Sequence, residues 1–192
     1  MLFVTRPILL DFLARLDAAF ARPGRLYLIG ETTHLFEGWR SWIEHVECCA
    51  ELAPDDREAF DQAIDAVADD LGIAVRDEAP GDLIPLPDGF EDRHRPIDGP
   101  TTHLRLAHFD PYSLAFRFIA RGDEPDYHLV LAYLDHGWLS FEEMETRLAA
   151  LLPRFSMETI QQDPAEFRRK YKGLLQMWHA VRPGTTHRPT PA

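Results

Sequence analysis

The chain has 192 residues, 45% of them hydrophobic, so it is long enough for one core of ordinary size and too short for two large domains. Its 20 basic and 32 acidic residues give a formal net charge of −12. This charge disfavours non-specific attraction to nucleic acid and to membrane surfaces, although it leaves room for a local basic patch.

No apolar run approaches the roughly 20 residues of a membrane span, and the N-terminal stretch MLFVTRPILLDFL lacks a basic leader and a small-residue cleavage site. We therefore expect a cytoplasmic protein with no membrane partner.

The only two cysteines are neighbours, Cys48 and Cys49. Adjacent cysteines are strongly disfavoured as a mutual disulfide, and two thiols by themselves cannot form a zinc site. We expect both to be reduced.

Helix and strand patterns alternate through the first part of the chain. Apolar residues recur at helical spacing from Leu9 to Phe20, and Pro23-Gly24 follows as a stop signal. The predicted elements are, in order, a helix over 7–21, a strand over 25–29, a short helix, a strand over 46–52, a helix from Pro54 to Gly72 and a strand over 73–75.

The later part of the chain is predicted to be mostly helical. Residues 77–100 are rich in Pro, Gly and Asp, which favours an extended excursion, and residues 102–108 alternate as in a strand. Four helices then follow, of which the third begins at Ser140 with a capping box and the last opens at Asp163-Pro164. We predict an α+β core over 1–110, a helical part over 111–181 packed on it, and a disordered tail over 182–192.

One arrangement in this order resembles a known family. A strand that ends in glycine, a short helix, and a strand with polar residues at alternate positions is similar to the layout of the nucleotidyltransferase fold. The similarity is greatest to small bacterial members related to toxin–antitoxin nucleotidyltransferases. Three later stretches of the chain also resemble sequences of one branch of this superfamily. They are LPDGFEDR (86–93), HFDPYSLAFRFIARGDEPDY (108–127) and LVLAYLDHGWLSFEEMETRL (129–148). The resemblance covers roughly residues 25–152 and implies a mixed sheet with flanking helices, followed by a helical C-terminal half.

The resemblance implies a phosphate-binding turn after the first strand of the motif. In active members this strand ends in Gly-Gly or Gly-Ser, where small residues let backbone N–H groups approach a nucleotide triphosphate. Here the strand ends in Gly30-Glu31-Thr32. Gly30 fits the first position, whereas the carboxylate of Glu31 would repel phosphate. Thr32 or Thr33 would offer a hydroxyl.

The resemblance also implies a metal site on the next strand, where active members carry an Asp-x-Asp pair that holds Mg²⁺. The best register places His45 and Glu47 at these positions, as the candidate catalytic and metal-binding residues. Imidazole suits Zn²⁺ or Mn²⁺ better than Mg²⁺, so this is a weakened metal site. A register that begins at Glu44 is worse because it puts Val46 second. A polar strand face without a metal is the alternative interpretation.

Two further parts of the family's site differ in this chain. The third acid is not assigned, because Asp110 falls beyond the strand, in the turn. Related sequences commonly have lysine where this chain has Arg117, and Arg121 matches the end of the same motif. Arg117 would pair with a phosphate or with a carboxylate of the core.

Two functions follow from the resemblance. The first is a nucleotidyltransferase-fold pseudoenzyme that binds a protein partner encoded nearby, as an antitoxin-like or defence-system component with no cofactor. The second is an active nucleotidyltransferase that moves NMP from an NTP to a protein, an RNA or a small molecule with Mg²⁺, Mn²⁺ or Zn²⁺. The charge makes RNA the less favoured partner, although the basic run RRKYK (168–172) is either a solvated face or a contact for RNA or an acidic protein. The oligomeric state is not predicted.

Overall fold

The computed structural model describes residues 3–158 and 162–181, and these form a mixed α+β structure. They contain seven α-helices, one five-stranded mixed sheet and one two-stranded sheet, which confirms the expected class. The chain divides into two units, the first formed by Met1–Asp82 with Leu86–Leu114 and the second by Leu83–Pro85 with Ala115–Ala192. The predicted domain boundary at residue 110 stays a prediction, and the predicted disordered tail lies outside the described residues.

The first unit contains both sheets. Its elements are β1 (Val4–Thr5), α1 (Arg6–Phe20), β2 (Gly24–Leu28), α2 (Gly30–Phe36), β3 (Trp42–Ile43), β4 (His45–Glu51), α3 (Arg57–Leu71), β5 (Ala74–Asp77), β6 (Arg95–Pro96), β7 (Leu104–His108) and the start of α4 (Pro111–Arg121). The large sheet has the order β5-β4-β2-β7-β6. In it β2 runs antiparallel to β4 and parallel to β7, while β1 and β3 form the small antiparallel sheet. The antiparallel pairing of β2 and β4 brings the end of β2 beside the start of β4.

The core of this unit lies on one face of the large sheet. Alternate residues of its three central strands are buried together with the apolar faces of α1 and α3, and they include Leu26, Leu28, Val46, Cys48 and Leu106. Phe20 of α1 and Phe60 of α3 meet edge to face, with ring centroids 5.2 Å apart. The opposite face of the sheet carries the intervening residues, since side chains alternate along a strand.

Three short strands were missed by the sequence prediction. The strands β1, β3 and β6 have two residues each, which is too short for an alternating pattern to appear. The excursion over 77–100 contains β6 and one turn of 3₁₀ helix at Phe90–Arg93. The remaining strands of this unit lie within two residues of their predicted positions, whereas the helix predicted from Pro54 begins at Arg57, after a 3₁₀ turn at Pro54–Asp56.

The second unit is helical. Its elements are the rest of α4, α5 (Glu124–Asp135), α6 (Phe141–Glu158) and α7 (Pro164–Val181). The predicted start of α6 is confirmed, because the N–H of Glu143 donates to Ser140 Oγ at 3.2 Å. The ring of Phe167 lies at the centre of the unit, 5.1 Å from that of Phe155 and 6.2 Å from that of Phe116. Within the described ranges, no helix has the length and apolar character needed to cross a membrane.

Candidate functional site

The predicted phosphate turn and the predicted metal pair are adjacent. Leu28 pairs with Cys48, and the N–H of Ile29 continues the ladder by donating to the carbonyl of Glu47 at 3.2 Å. The N–H of Glu47 in turn donates to Thr32 Oγ1 at 2.7 Å. These two hydrogen bonds therefore hold the segment from Ile29 to Thr32, at the start of α2, against the start of β4.

The carboxylate of Glu47 packs against the start of α2, at Gly30 and Glu31. Its Oε2 accepts the backbone N–H of Glu31 at 3.2 Å, and its Oε1 lies 3.1 Å from His45 Nε2. Glu47 is 8% exposed. Burial raises the pKa of Glu47, and the nearby charge of Glu78 acts in the same direction, whereas the contact with His45 acts against both. Thus both oxygens of this carboxylate already have partners within the protein.

Gly30 is needed because Glu47 approaches so closely. Gly30 has a φ of +55°, in the left-handed region that favours glycine. A Cβ at this position would overlap Glu47 Oε2 and lie 3.0 Å from Glu47 Cδ. The family resemblance implies a glycine that lets phosphate approach the backbone. Here the group that approaches the backbone is the chain's own carboxylate.

The side chain of Glu31 is paired as well. Its carboxylate forms an ion pair with Arg40, which follows α2 in the chain. The side chain of Glu31 is 25% exposed. The negative charge that the sequence placed at the turn is therefore balanced by a neighbouring cation.

A buried histidine that the sequence analysis did not select holds α2 against β7. His108 Nε2 lies 2.8 Å from Glu37 Oε1, and His108 Nδ1 lies 3.2 Å from Thr33 Oγ1. Burial lowers the pKa of His108 to about 4. Thr33 also donates to the carbonyl of Leu28 at 3.1 Å. The available signal was the four-residue spacing of Thr33 and Glu37, which puts both on one face of a helix.

Asp110 lies in the turn after β7, as the sequence predicted. Its fully buried carboxylate accepts two bonds from Arg93, at 2.9 and 2.8 Å, and one from the Ser113 hydroxyl at 2.7 Å. The N–H of Ser113 also donates to it, at 3.1 Å, at the start of α4. Because its lone pairs are used in this way, Asp110 serves as the cap of α4.

The two candidate nucleotide-binding arginines belong to the second unit. Arg121 donates two hydrogen bonds to Asp126, at 2.9 and 2.6 Å. Burial raises the pKa of Asp126, and the charges of Arg121 and then Arg117 act in the opposite direction. Arg117 is 6% exposed. The structure therefore brings Gly30, Glu31, Thr32, His45 and Glu47 together in one unit, and brings Arg117 and Arg121 together around Asp126 in the other.

The site offers two side chains to a metal, His45 and Glu47. These two side chains already contact each other, so an ion between them would have to replace that contact. Elsewhere too, the described part of the chain assembles no group of three or more His, Cys, Asp or Glu side chains that could hold a metal ion. Metal binding by His45 and Glu47 stays a prediction.

Comparisons with protein-family models, with curated proteins and with solved structures give no match to this chain. The resemblance to nucleotidyltransferases therefore remains an interpretation of the sequence motifs.

Proposed function

We propose that this chain is a nucleotidyltransferase-fold pseudoenzyme that acts by binding a protein partner, as an antitoxin-like or defence-system component. The observation that carries the proposal is the hydrogen bond from the N–H of Glu31 to the carboxylate of Glu47. In this fold the same turn would offer its backbone N–H groups to a nucleotide phosphate.

A phosphate would meet two obstacles at this turn. It would have to displace the Glu47 carboxylate from the N–H of Glu31, and it would be repelled by the negative charge of Glu47 once displaced. His45 would lose its partner in the same step. Phosphoryl transfer depends on metal charge and on positioned phosphates, and both are opposed by this arrangement.

The charge of the chain favours a basic protein as the partner. A formal charge of −12 attracts cationic surfaces and repels the phosphate backbone of RNA. The family resemblance adds the expectation that this partner is encoded next to the chain.

A second candidate function is an active nucleotidyltransferase with a divergent metal. It is favoured by one observation, the placement of His45 and Glu47 on one face of β4, 3.1 Å apart. In that case Glu47 would be a metal ligand, His45 a ligand or a base, and Gly30 and Thr32 phosphate contacts. Mn²⁺ or Zn²⁺ would suit this pair better than Mg²⁺.

Transfer and partner assays separate the two functions. The purified chain is incubated with each of the four α-labelled NTPs and Mg²⁺, Mn²⁺ or Zn²⁺, alone and with the product of the neighbouring gene. Glu47→Ala tests the site, and Glu44→Ala is a matched control because it removes one exposed carboxylate from the adjacent segment. We expect a stable complex with the neighbour and no labelled product. Labelled product that disappears in Glu47→Ala and persists in Glu44→Ala would establish the active enzyme instead.

A further inference from the structure

A groove of about 400 Å³ lies in the first unit, where β2 and β7 begin and β4 ends. This is the end of the large sheet opposite to Gly30 and Glu47. Its polar wall contains Arg25, His103 and Arg105, with Glu51 beside them, and its apolar wall contains Pro23 and Leu52. The volume falls within the range of small-molecule sites.

Two arginines on adjacent strands line this groove. Arg25 of β2 and Arg105 of β7 are direct partners in the parallel pairing, and both line the groove. Like charges opposite each other in a sheet are destabilising. An anion bound between two such side chains would offset their like charges.

Only one of these two charges is balanced within the protein. Glu51 lies 3.4 Å from Arg25 and also accepts the Tyr27 hydroxyl at 2.7 Å. The side chain of Arg105 forms neither a hydrogen bond nor an ion pair with any of the described residues. Its planar guanidinium is thus available to bind an oxyanion with two parallel N–H groups.

The histidine of the groove is held rigidly by a buried carboxylate. Asp17 of α1 accepts the backbone N–H groups of Thr102, His103 and Leu104, at 2.9, 2.9 and 2.7 Å. His103 Nδ1 lies 3.2 Å from the same carboxylate. Since Nδ1 is engaged by Asp17, Nε2 is the ring nitrogen left for a ligand. His103 is therefore held in position before any ligand binds, which lowers the entropy cost of that contact.

We propose that this groove binds a small organic phosphate monoester. The phosphate group lies between Arg105 and Arg25 and contacts His103, and the organic part packs against Leu52 and Pro23. The paired arginines give the charge and fork geometry that a phosphate needs, and the apolar wall favours a monoester over inorganic phosphate. This site is separate from the Gly30–Glu47 turn and does not depend on the function proposed for it.

Titration of the full chain tests this site. Ribose 5-phosphate, inorganic phosphate and ribose are added in turn at constant ionic strength, and binding is followed by ¹⁵N amide shifts and by calorimetry. We expect saturable shifts centred on the amides of residues 24–25, 51–53 and 103–105. We expect ribose 5-phosphate to bind most tightly, inorganic phosphate more weakly at the same amides, and ribose to cause no shifts there.

Variants assign the binding to the two arginines. Arg105→Gln should weaken ribose 5-phosphate binding about tenfold or more, which corresponds to one lost charge-assisted hydrogen bond. Arg168→Gln removes an exposed arginine from α7 and should leave the affinity unchanged. Arg25→Gln serves as the second variant if Arg105→Gln loses its native amide spectrum. Equal affinity in Arg105→Gln and wild type, or equal shifts with ribose and ribose 5-phosphate, would overturn the assignment.

Discussion

Replacing Gly30 by alanine tests whether the Glu47 carboxylate occupies the turn. The new Cβ would meet Glu47 Oε2 directly and Glu47 Cδ at 3.0 Å, so the carboxylate would have to move. A moved carboxylate loses the N–H of Glu31 and its contact with His45. The perturbation therefore acts on the hydrogen bond on which the proposed function rests.

The expected cost has two parts. Alanine in the left-handed region costs about 1 kcal/mol relative to glycine. Loss of the buried hydrogen bonds to a charged carboxylate costs about 2 kcal/mol more. Together they predict that Gly30→Ala lowers the free energy of unfolding by about 3 kcal/mol.

The assay is urea unfolding at pH 7, with Gly72→Ala as the matched control. Gly72 has a φ of +64°, close to that of Gly30, and a Cβ there would meet nothing within 4 Å. Gly72→Ala should therefore show only the backbone part, about 1 kcal/mol. In a Glu47→Ala background the obstacle is gone, and the cost of Gly30→Ala should fall to about the same value.

Two results would refute this reasoning. The first is an equal loss of stability in Gly30→Ala and Gly72→Ala, which would mean that the turn has room for a side chain. The second is an unchanged cost of Gly30→Ala in the Glu47→Ala background, which would mean that the carboxylate is not the obstacle.

Three further substitutions test other buried charges. Asp17→Asn should lower the free energy of unfolding by about 2 kcal/mol at neutral pH. The hydrogen bonds to Asp17 outweigh the effect of burial and lower its pKa, so the stability difference between wild type and Asp17→Asn should shrink as the pH falls below about 4. A constant difference in urea unfolding from pH 2 to 7 would count against the assignment. Arg93→Ala should cost about 3 kcal/mol because it leaves the buried carboxylate of Asp110 without its ion-pair partner. Adding Asp110→Asn should recover part of this loss in the same assay. Because the pKa of Glu47 is raised in the native state, the native state should lose stability as the pH rises above about 4.3. Thermal unfolding of Glu47→Gln between pH 4 and 8 should lack this loss of stability. Identical pH profiles for wild type and Glu47→Gln would contradict the prediction.

The sequence was sufficient for the elements with several turns or a full alternating pattern. The helix that ends at Gly72 and the one that opens at Ser140 carry explicit stop and start signals, and both lie where predicted. The α+β class followed from their order. The strands β1, β3 and β6 could not be found, because two residues show no periodicity and their pairing depends on distant parts of the chain.

The proximity of Gly30, Thr32 and Glu47 was predictable from the sequence, whereas their contacts were not, and nucleotide binding by Arg117 and Arg121 stays a prediction. The motif spacing was enough to bring Gly30 and Glu47 into one neighbourhood, since it follows from one antiparallel strand pair. The direction of the Glu47 side chain toward the N–H of Glu31 depends on tertiary geometry that spacing does not encode. The same holds for Asp17, which contacts a turn 85 residues further along the chain.

Binding of Mn²⁺ in the presence of ATP tests the central claim most directly. Electron paramagnetic resonance measures free Mn²⁺ in titrations of wild type, Glu47→Ala and the control Glu44→Ala, with and without ATP. If the Glu47 carboxylate is held by the N–H of Glu31 and by His45, all three proteins should lower free Mn²⁺ by the same small amount relative to a protein-free solution, both without ATP and with ATP, which binds Mn²⁺ by itself. A stoichiometric Mn²⁺ site that is present in wild type and Glu44→Ala and lost in Glu47→Ala would contradict the proposed pseudoenzyme.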